Sequence, residues 1–135
     1  METQLDIPTG PRAAAEARQF VSSLADHVPA PILDDVRLVT SELVGNSVKH
    51  AGNPPGHPIH VKIQVRSDRL RLEVVDRSVF DPAPETIEEL REVKWGLVLV
   101  DRIADAWGRI DPPAGGIWVE FSVPQSRDQP PPRGP

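Results

Sequence analysis

At 135 residues the chain is the size of one domain and long enough to bury a core unaided. Hydrophobic residues make up 39% and charged residues 26%, a soluble globular balance, and the absence of cysteine excludes disulfides, thiolate metal sites and cysteine nucleophiles. A net charge of −5 offers no basic face for general nucleic-acid binding. The apolar run Leu97 to Val100 is far too short to cross a bilayer, and Met1 to Asp6 has neither the basic start nor the apolar stretch of a signal peptide. The expectation is a cytoplasmic protein with no membrane and no direct nucleic-acid partner.

Gln4 to Ile7 is a short strand candidate. Thr9-Gly10-Pro11 supplies a capping hydroxyl and a first-turn proline, and Ala13, Ala17, Phe20, Val21 and Leu24 follow at helical spacing, which predicts a helix over Pro11 to His27. Pro29 and Pro31 break it. Pro31 opens a second helix whose inward stripe is Ile32, Val36, Val39, Leu43 and Ser47, ended by Gly52-Asn53-Pro54-Pro55-Gly56. The period then changes to two. Ile59, Val61, Ile63 and Val65 alternate with polar residues, and a turn at Arg66-Ser67-Asp68 leads into Leu70, Leu72 and Val74, a hairpin. Asp81 to Val93 is acid-rich and reads as a loop with a turn or two of helix. Gly96 to Ala106 is an apolar helix, and Trp107 to Ile110 with Ile117 to Val123 form a second hairpin. The last eleven residues, Gln125 to Pro135, hold four prolines and cannot bury surface, so 1–124 is expected to fold and 125–135 to remain a disordered tail. The order β-α-α-β-β-(loop)-α-β-β with half-buried strands predicts an α+β two-layer sandwich.

Glu42, Asn46 and His50 are spaced i, i+4, i+8 along the second helix, a row spanning about 12 Å. That row runs beside the apolar stripe rather than opposite it, so these groups either bond locally or line a pocket. Spacing alone is compatible with helix-boundary residues, His50 being a cation near a helix C-terminus. Asp76 closes a strand, where an Asp is ordinarily a turn former. Gly96 opens a helix, by itself a weak phosphate signal. His27, His57 and His60 have no metal-ligand spacing and read as surface residues. Glu85, Glu88, Glu89 and Glu92 read as a solvated face, and Trp107 and Trp118 as packing residues.

The order of these features is more telling than any one of them. Glu42-Leu43-Val44-Gly45-Asn46-Ser47-Val48-Lys49-His50-Ala51, then Asp76, then Gly96-Leu97-Val98-Leu99-Val100-Asp101 through Trp107-Gly108, resembles the Bergerat-fold ATP-binding domains of gyrase, MutL and histidine kinases. Within that group the likeness is greatest to single-domain serine kinases that act as anti-sigma factors, and it runs from about Leu5 to Val123. The resemblance implies a Bergerat-type sandwich, a mixed and mostly antiparallel sheet with its helices on one face, and ATP and Mg²⁺ as cofactors. Asn46 would ligate the Mg²⁺ on the triphosphate. Asp76 would accept a hydrogen bond from the adenine amino group. Backbone N–H groups around Gly96 and Leu97 would meet phosphate, and Lys49 would add positive charge nearby. Glu42 would be the general base toward a partner serine. His50 and Ser78 fall within the same nucleotide-binding motifs, and Lys94 would meet phosphate as a point charge. The implied partners are a sigma factor, an anti-anti-sigma antagonist, or both, and a second copy in a homodimer.

The sequence departs from the family pattern at three places. Asp76 is followed by Arg77-Ser78-Val79-Phe80 rather than by the two usual glycines. Lys94-Trp95-Gly96 keeps only the last glycine of the second box. Gly116 stands where the last strand often carries a threonine. These departures keep open an alternative, a protein-binding module of the same fold with weak or absent ATP binding.

Overall fold

The computed structural model describes residues 1–50, 57–77 and 97–124, with the side chain of His50 left aside. The chain runs β1 (Glu2–Ile7), α1 (Ala13–Ser22), α2 (Ala30–His50), β2 (Ile59–Arg66), β3 (Arg69–Val75), a helical stretch over 97–103 termed α3, β4 (Ala106–Ile110) and β5 (Gly116–Ser122). The strands form one sheet in the order β1-β2-β3-β5-β4, and each of these pairings is antiparallel. The α+β sandwich expected from the strand pattern is therefore the fold.

Several boundaries differ from expectation for identifiable reasons. β1 begins at Glu2 because the Met1 ammonium donates to the Val65 carbonyl at 2.9 Å, drawing the chain start into the sheet. α1 begins at Ala13, with Arg12 rather than Thr9 at its N-cap. The Thr9 hydroxyl instead donates to the His57 carbonyl at 3.0 Å, and Arg12 at the N-cap makes no side-chain bond. Beyond Ser22 the bonds Leu24 N–H to Val21 and His27 N–H to Leu24 tighten the chain into turns that still bury Leu24 and Val28. In α2 Leu33 takes the inward position and Ile32 is half-buried. α3 ends at 103, since Asp105 N–H donates to the Glu120 carbonyl and pulls Ala106 into β4. The expected loop over Asp81 to Val93, the stop at Gly52 to Gly56 and the proline-rich tail lie outside the described residues.

Side-chain alternation decides the layers. Ile59, Val61 and Ile63 of β2, Leu70, Leu72 and Val74 of β3, and Val119 and Phe121 of β5 turn inward and are buried against α1 and α2. Ala13, Ala17 and Val21 supply the α1 stripe, and Val36, Val39, Leu43 and Val44 that of α2. Burying such side chains stabilises by about 1.5–3 kcal/mol each, before the entropy of ordering them. α1 lies along one flank of α2. There Arg18 Nη1 donates to Ser41 Oγ and Arg37 Nε donates to Ser22 Oγ, both at 3.0 Å.

The other sheet face is polar and cross-linked. Glu120 accepts from Arg69 at 2.8 Å and from Arg71 at 3.0 Å, and Arg71 lies 4.7 Å over the Trp118 ring. Trp118 in turn covers Gly108, where an added Cβ would sit 2.7 Å from the indole. Lys62 pairs with Glu2 at 2.9 Å, and His60 with Asp6 at 2.6 Å, tying β1 to β2. Trp118 is thus a packing residue and His60 a surface group, as the sequence indicated.

Two tests follow from this frame. At Gly116, φ is +156° and an added Cβ would lie 2.0 Å from the Val74 carbonyl oxygen, whereas Gly45 in α2 has nothing within 4 Å. Gly116→Ala should cost about 3 kcal/mol or more in urea denaturation, while Gly45→Ala should stabilise by about 0.5–1 kcal/mol. Hydrogen bonds from Arg69, then from Arg71, hold the Glu120 carboxyl below its ordinary 4.5. A depressed carboxylate stabilises the fold above its unfolded value and loses that contribution as pH falls through the folded one. Glu120→Gln should therefore lower the urea midpoint at pH 7, with the gap to wild type closing below about pH 4.

Candidate functional site

The site is built where the end of β3 passes beneath the C-terminal half of α2. Strand β3 ends at Val75, and the next residue, Asp76, is 7% exposed. Burying a carboxylate is costly unless donors replace its lost water. The structure provides one from the helix above: Ser47 Oγ, itself 5% exposed, donates to Asp76 Oδ2 at 2.5 Å. The Asp76 N–H donates to the Gly115 carbonyl at 3.0 Å, which fixes the backbone from the other side. Arg77 then turns the chain with φ +58°. A left-handed non-glycine residue costs about 1–2 kcal/mol. The family's glycines after the Asp are missing, and the left-handed position falls on Arg77.

Asn46 and Glu42 occupy the flank of α2 away from α1. With successive residues about 100° apart, the stripe through Val36, Leu43 and Ser47 has Arg37 and Ser41 on its α1 side and Glu42 and Asn46 on its other side. Both Glu42 and Asn46 are half-buried, and among the described residues neither side chain makes a hydrogen bond or ion pair. A half-buried amide and a carboxylate one turn apart, both without such a partner, are suited to a ligand. Lys49, further along the helix, is exposed and has no partner among the described residues.

Leu97, the first described residue of α3, is half-buried and packs against the core, with Val100 fully buried behind it. The polar residues of the second motif prove structural. Trp107 Nε1 donates to Asp101 at 3.0 Å, and the Ser122 N–H donates to Asp105 Oδ2 at 2.5 Å, latching α3 to the β4–β5 hairpin. Of the remaining expected site residues, the side chain of His50 and all of Ser78, Lys94 and Gly96 lie outside the described residues.

The structure thus brings Ser47, the residue after Asn46, onto Asp76, with Glu42 one turn back from Asn46 along the helix. Ser47 was read from sequence as part of the apolar stripe. The available signal was its chemistry: a hydroxyl recurring at helical spacing in an otherwise aliphatic row. Among the described residues no cluster of three or more His, Asp or Glu could hold a metal ion by itself. The donor set nevertheless fits Mg²⁺, which takes one or two protein oxygens and fills its octahedron with phosphate and water. The amide oxygen of Asn46, without a partner among the described residues, is such a donor.

No helix among the described residues is long and apolar enough to cross a membrane. No curated protein matches the chain. A family model for the histidine kinase-like ATPase domain matches residues 7–122, which takes in all of α1 to β5 and the site described above. The chain belongs to the histidine kinase-like ATPase domain family.

Proposed function

We propose that this is an ATP-binding regulatory protein, a serine/threonine kinase of the anti-sigma type, which binds a transcription regulator and phosphorylates a serine of its antagonist. The observation that carries the reading is the pairing on α2 of Glu42 and Asn46, half-buried and without a partner among the described residues, on the helix whose Ser47 holds the buried Asp76. Asp76 accepts from the exocyclic amine of adenine. Asn46 offers its amide oxygen to the metal on the triphosphate, and Lys49 brings positive charge to the same end. Bound Mg²⁺ supplies neutralisation of the charge that develops on the phosphates. Glu42 takes the proton from the attacking serine hydroxyl while its oxygen bonds to the γ-phosphorus and the bond to the β-phosphate oxygen breaks, leaving ADP. His50, Ser78, Lys94, Gly96 and the N–H of Leu97 complete the nucleotide-binding set in this proposal. A sigma factor, its antagonist and a second copy of the chain are the proposed partners.

A second reading is a protein-binding module that has kept the fold and lost the nucleotide. Arg77, at φ +58° in place of a glycine-rich turn, is the observation in its favour. Calorimetric titration separates the two. Wild type should bind ATP saturably with Mg²⁺ and much less without it, and Asn46→Ala should weaken that binding at least about tenfold. Glu42→Gln should bind ATP as wild type does, while ADP formation falls about 10²–10⁴-fold. A folded wild type that takes up no ATP would leave only the binding module.

A further inference from the structure

Where α1 and α2 run side by side, the same pair of residues occurs twice. Arg18 and Ser22 stand one turn apart on α1, and Arg37 and Ser41 one turn apart on α2. The helices meet antiparallel, so each arginine faces the serine of the other helix. Arg18 Nη1 donates to Ser41 Oγ and Arg37 Nε to Ser22 Oγ, both at 3.0 Å. Ser22 Oγ gives its own proton to the Arg18 carbonyl at 2.8 Å, which fixes the oxygen that receives Arg37. Arg18, Ser22 and Arg37, with Ala15 and Gln19, line an open groove between the two helices.

A serine holds a guanidinium in place without neutralising it. Among the described residues Arg18 has no carboxylate partner, and its Nε and Nη2 make no hydrogen bond. Arg37 has one carboxylate partner, Asp34, which is 69% exposed and accepts from Nη1 at 3.1 Å. Exposed pairs of this kind contribute little, so a better-placed acceptor can displace Asp34. Two positioned cations therefore stand in one groove of a chain whose net charge is −5. Their spacing indicates what fits. The two cross-links lie one helical turn apart, about 6 Å along the groove. The bond to Asp34 also draws Arg37 toward the start of α2, away from the Arg18–Ser41 link. A single phosphate would need the guanidiniums to converge, whereas two carboxylates one helical turn apart, or two residues apart on an extended chain, match them.

We propose that this groove docks an acidic segment of a partner protein, two of whose carboxylates take the outward nitrogens of Arg18 and Arg37. The proposal does not rest on the nucleotide reading. The groove lies on the α1 side of α2, opposite Glu42 and Asn46, so a segment bound there leaves the nucleotide flank open.

The test titrates an oligoglutamate peptide into the ¹⁵N-labelled chain at low salt. The amides of Ala15, Gln19, Ser22 and Arg37 should shift along one saturation curve, and added salt should weaken the binding. Arg18→Gln and Arg37→Gln should each weaken it about three- to fivefold, while Asp34→Asn, which releases Arg37, should tighten it about twofold. Arg66→Gln removes the same charge from an exposed position outside the groove and should bind as wild type does. Amide spectra unchanged outside the groove show that the variants are folded. An equal loss in Arg66→Gln would overturn the proposal, since net charge alone would then attract the peptide. Inorganic phosphate that shifts the same amides and displaces the peptide would overturn it in favour of a small-anion site. Arginine variants with lower urea midpoints but unchanged peptide affinity would overturn it too, leaving the arginines as cross-links between helices. So would the absence of saturable shifts at the groove.

Discussion

A carboxylate buried at a strand end needs donors, and in this fold one of them comes from the helix that crosses above. The Ser47–Asp76 hydrogen bond joins α2 to the end of β3 through two buried polar side chains. Elsewhere the contact between layers is aliphatic: Val36, Val39, Leu43 and Val44 against Ile63, Leu72, Val74 and Val119. Apolar packing fixes how close the layers lie but is tolerant of sliding. A short, directional bond to a charged group is not. Sliding or rotating α2 would lose it, and so the same bond that satisfies Asp76 also fixes where Glu42 and Asn46 stand.

The rest of the sheet supports that arrangement. Gly116 lets β5 approach the Val74 carbonyl closely, and Gly115 receives the Asp76 N–H, so the strand end carrying Asp76 is held from both sides. Asp101 and Asp105 spend their carboxylates on Trp107 and on the Ser122 N–H, locking α3 to the β4–β5 hairpin. On the open face Glu120 gathers Arg69 and Arg71, and Arg71 stacks on Trp118. These are surface pairs of modest individual worth. They align β3 and β5, the strands on either side of the site.

Much of the fold was legible because its elements announce themselves by period. The two-residue alternation in β2, β3 and β5 and the stripes of α1 and α2 follow from which side of each element is buried. Boundaries were less legible where a distant contact fixes the chain near a helix start. Thr9 reads as an N-cap by sequence, yet Arg12 occupies that place, and the Thr9 hydroxyl donates to the His57 carbonyl, 48 residues away, a contact no local pattern encodes. The site divides in the same way. Glu42 and Asn46 could be picked out because polar groups on the shoulder of a core helix are unusual. Ser47 could not, since its role depends on where β3 ends relative to α2. Gly116 looked like a lost threonine, whereas a Cβ added there would collide with the Val74 carbonyl oxygen, so no side chain can stand at that position.

The central claim is that the C-terminal half of α2 and the end of β3 form one nucleotide site, and amide-resolved NMR tests it most directly. Titrating Mg²⁺ and ATP into the ¹⁵N-labelled chain should shift the amides of Asn46, Ser47, Asp76 and Gly115 together, along one saturation curve. Saturable shifts on the open sheet face at Arg71, Trp118 and Glu120, with those four amides unmoved, would contradict the account.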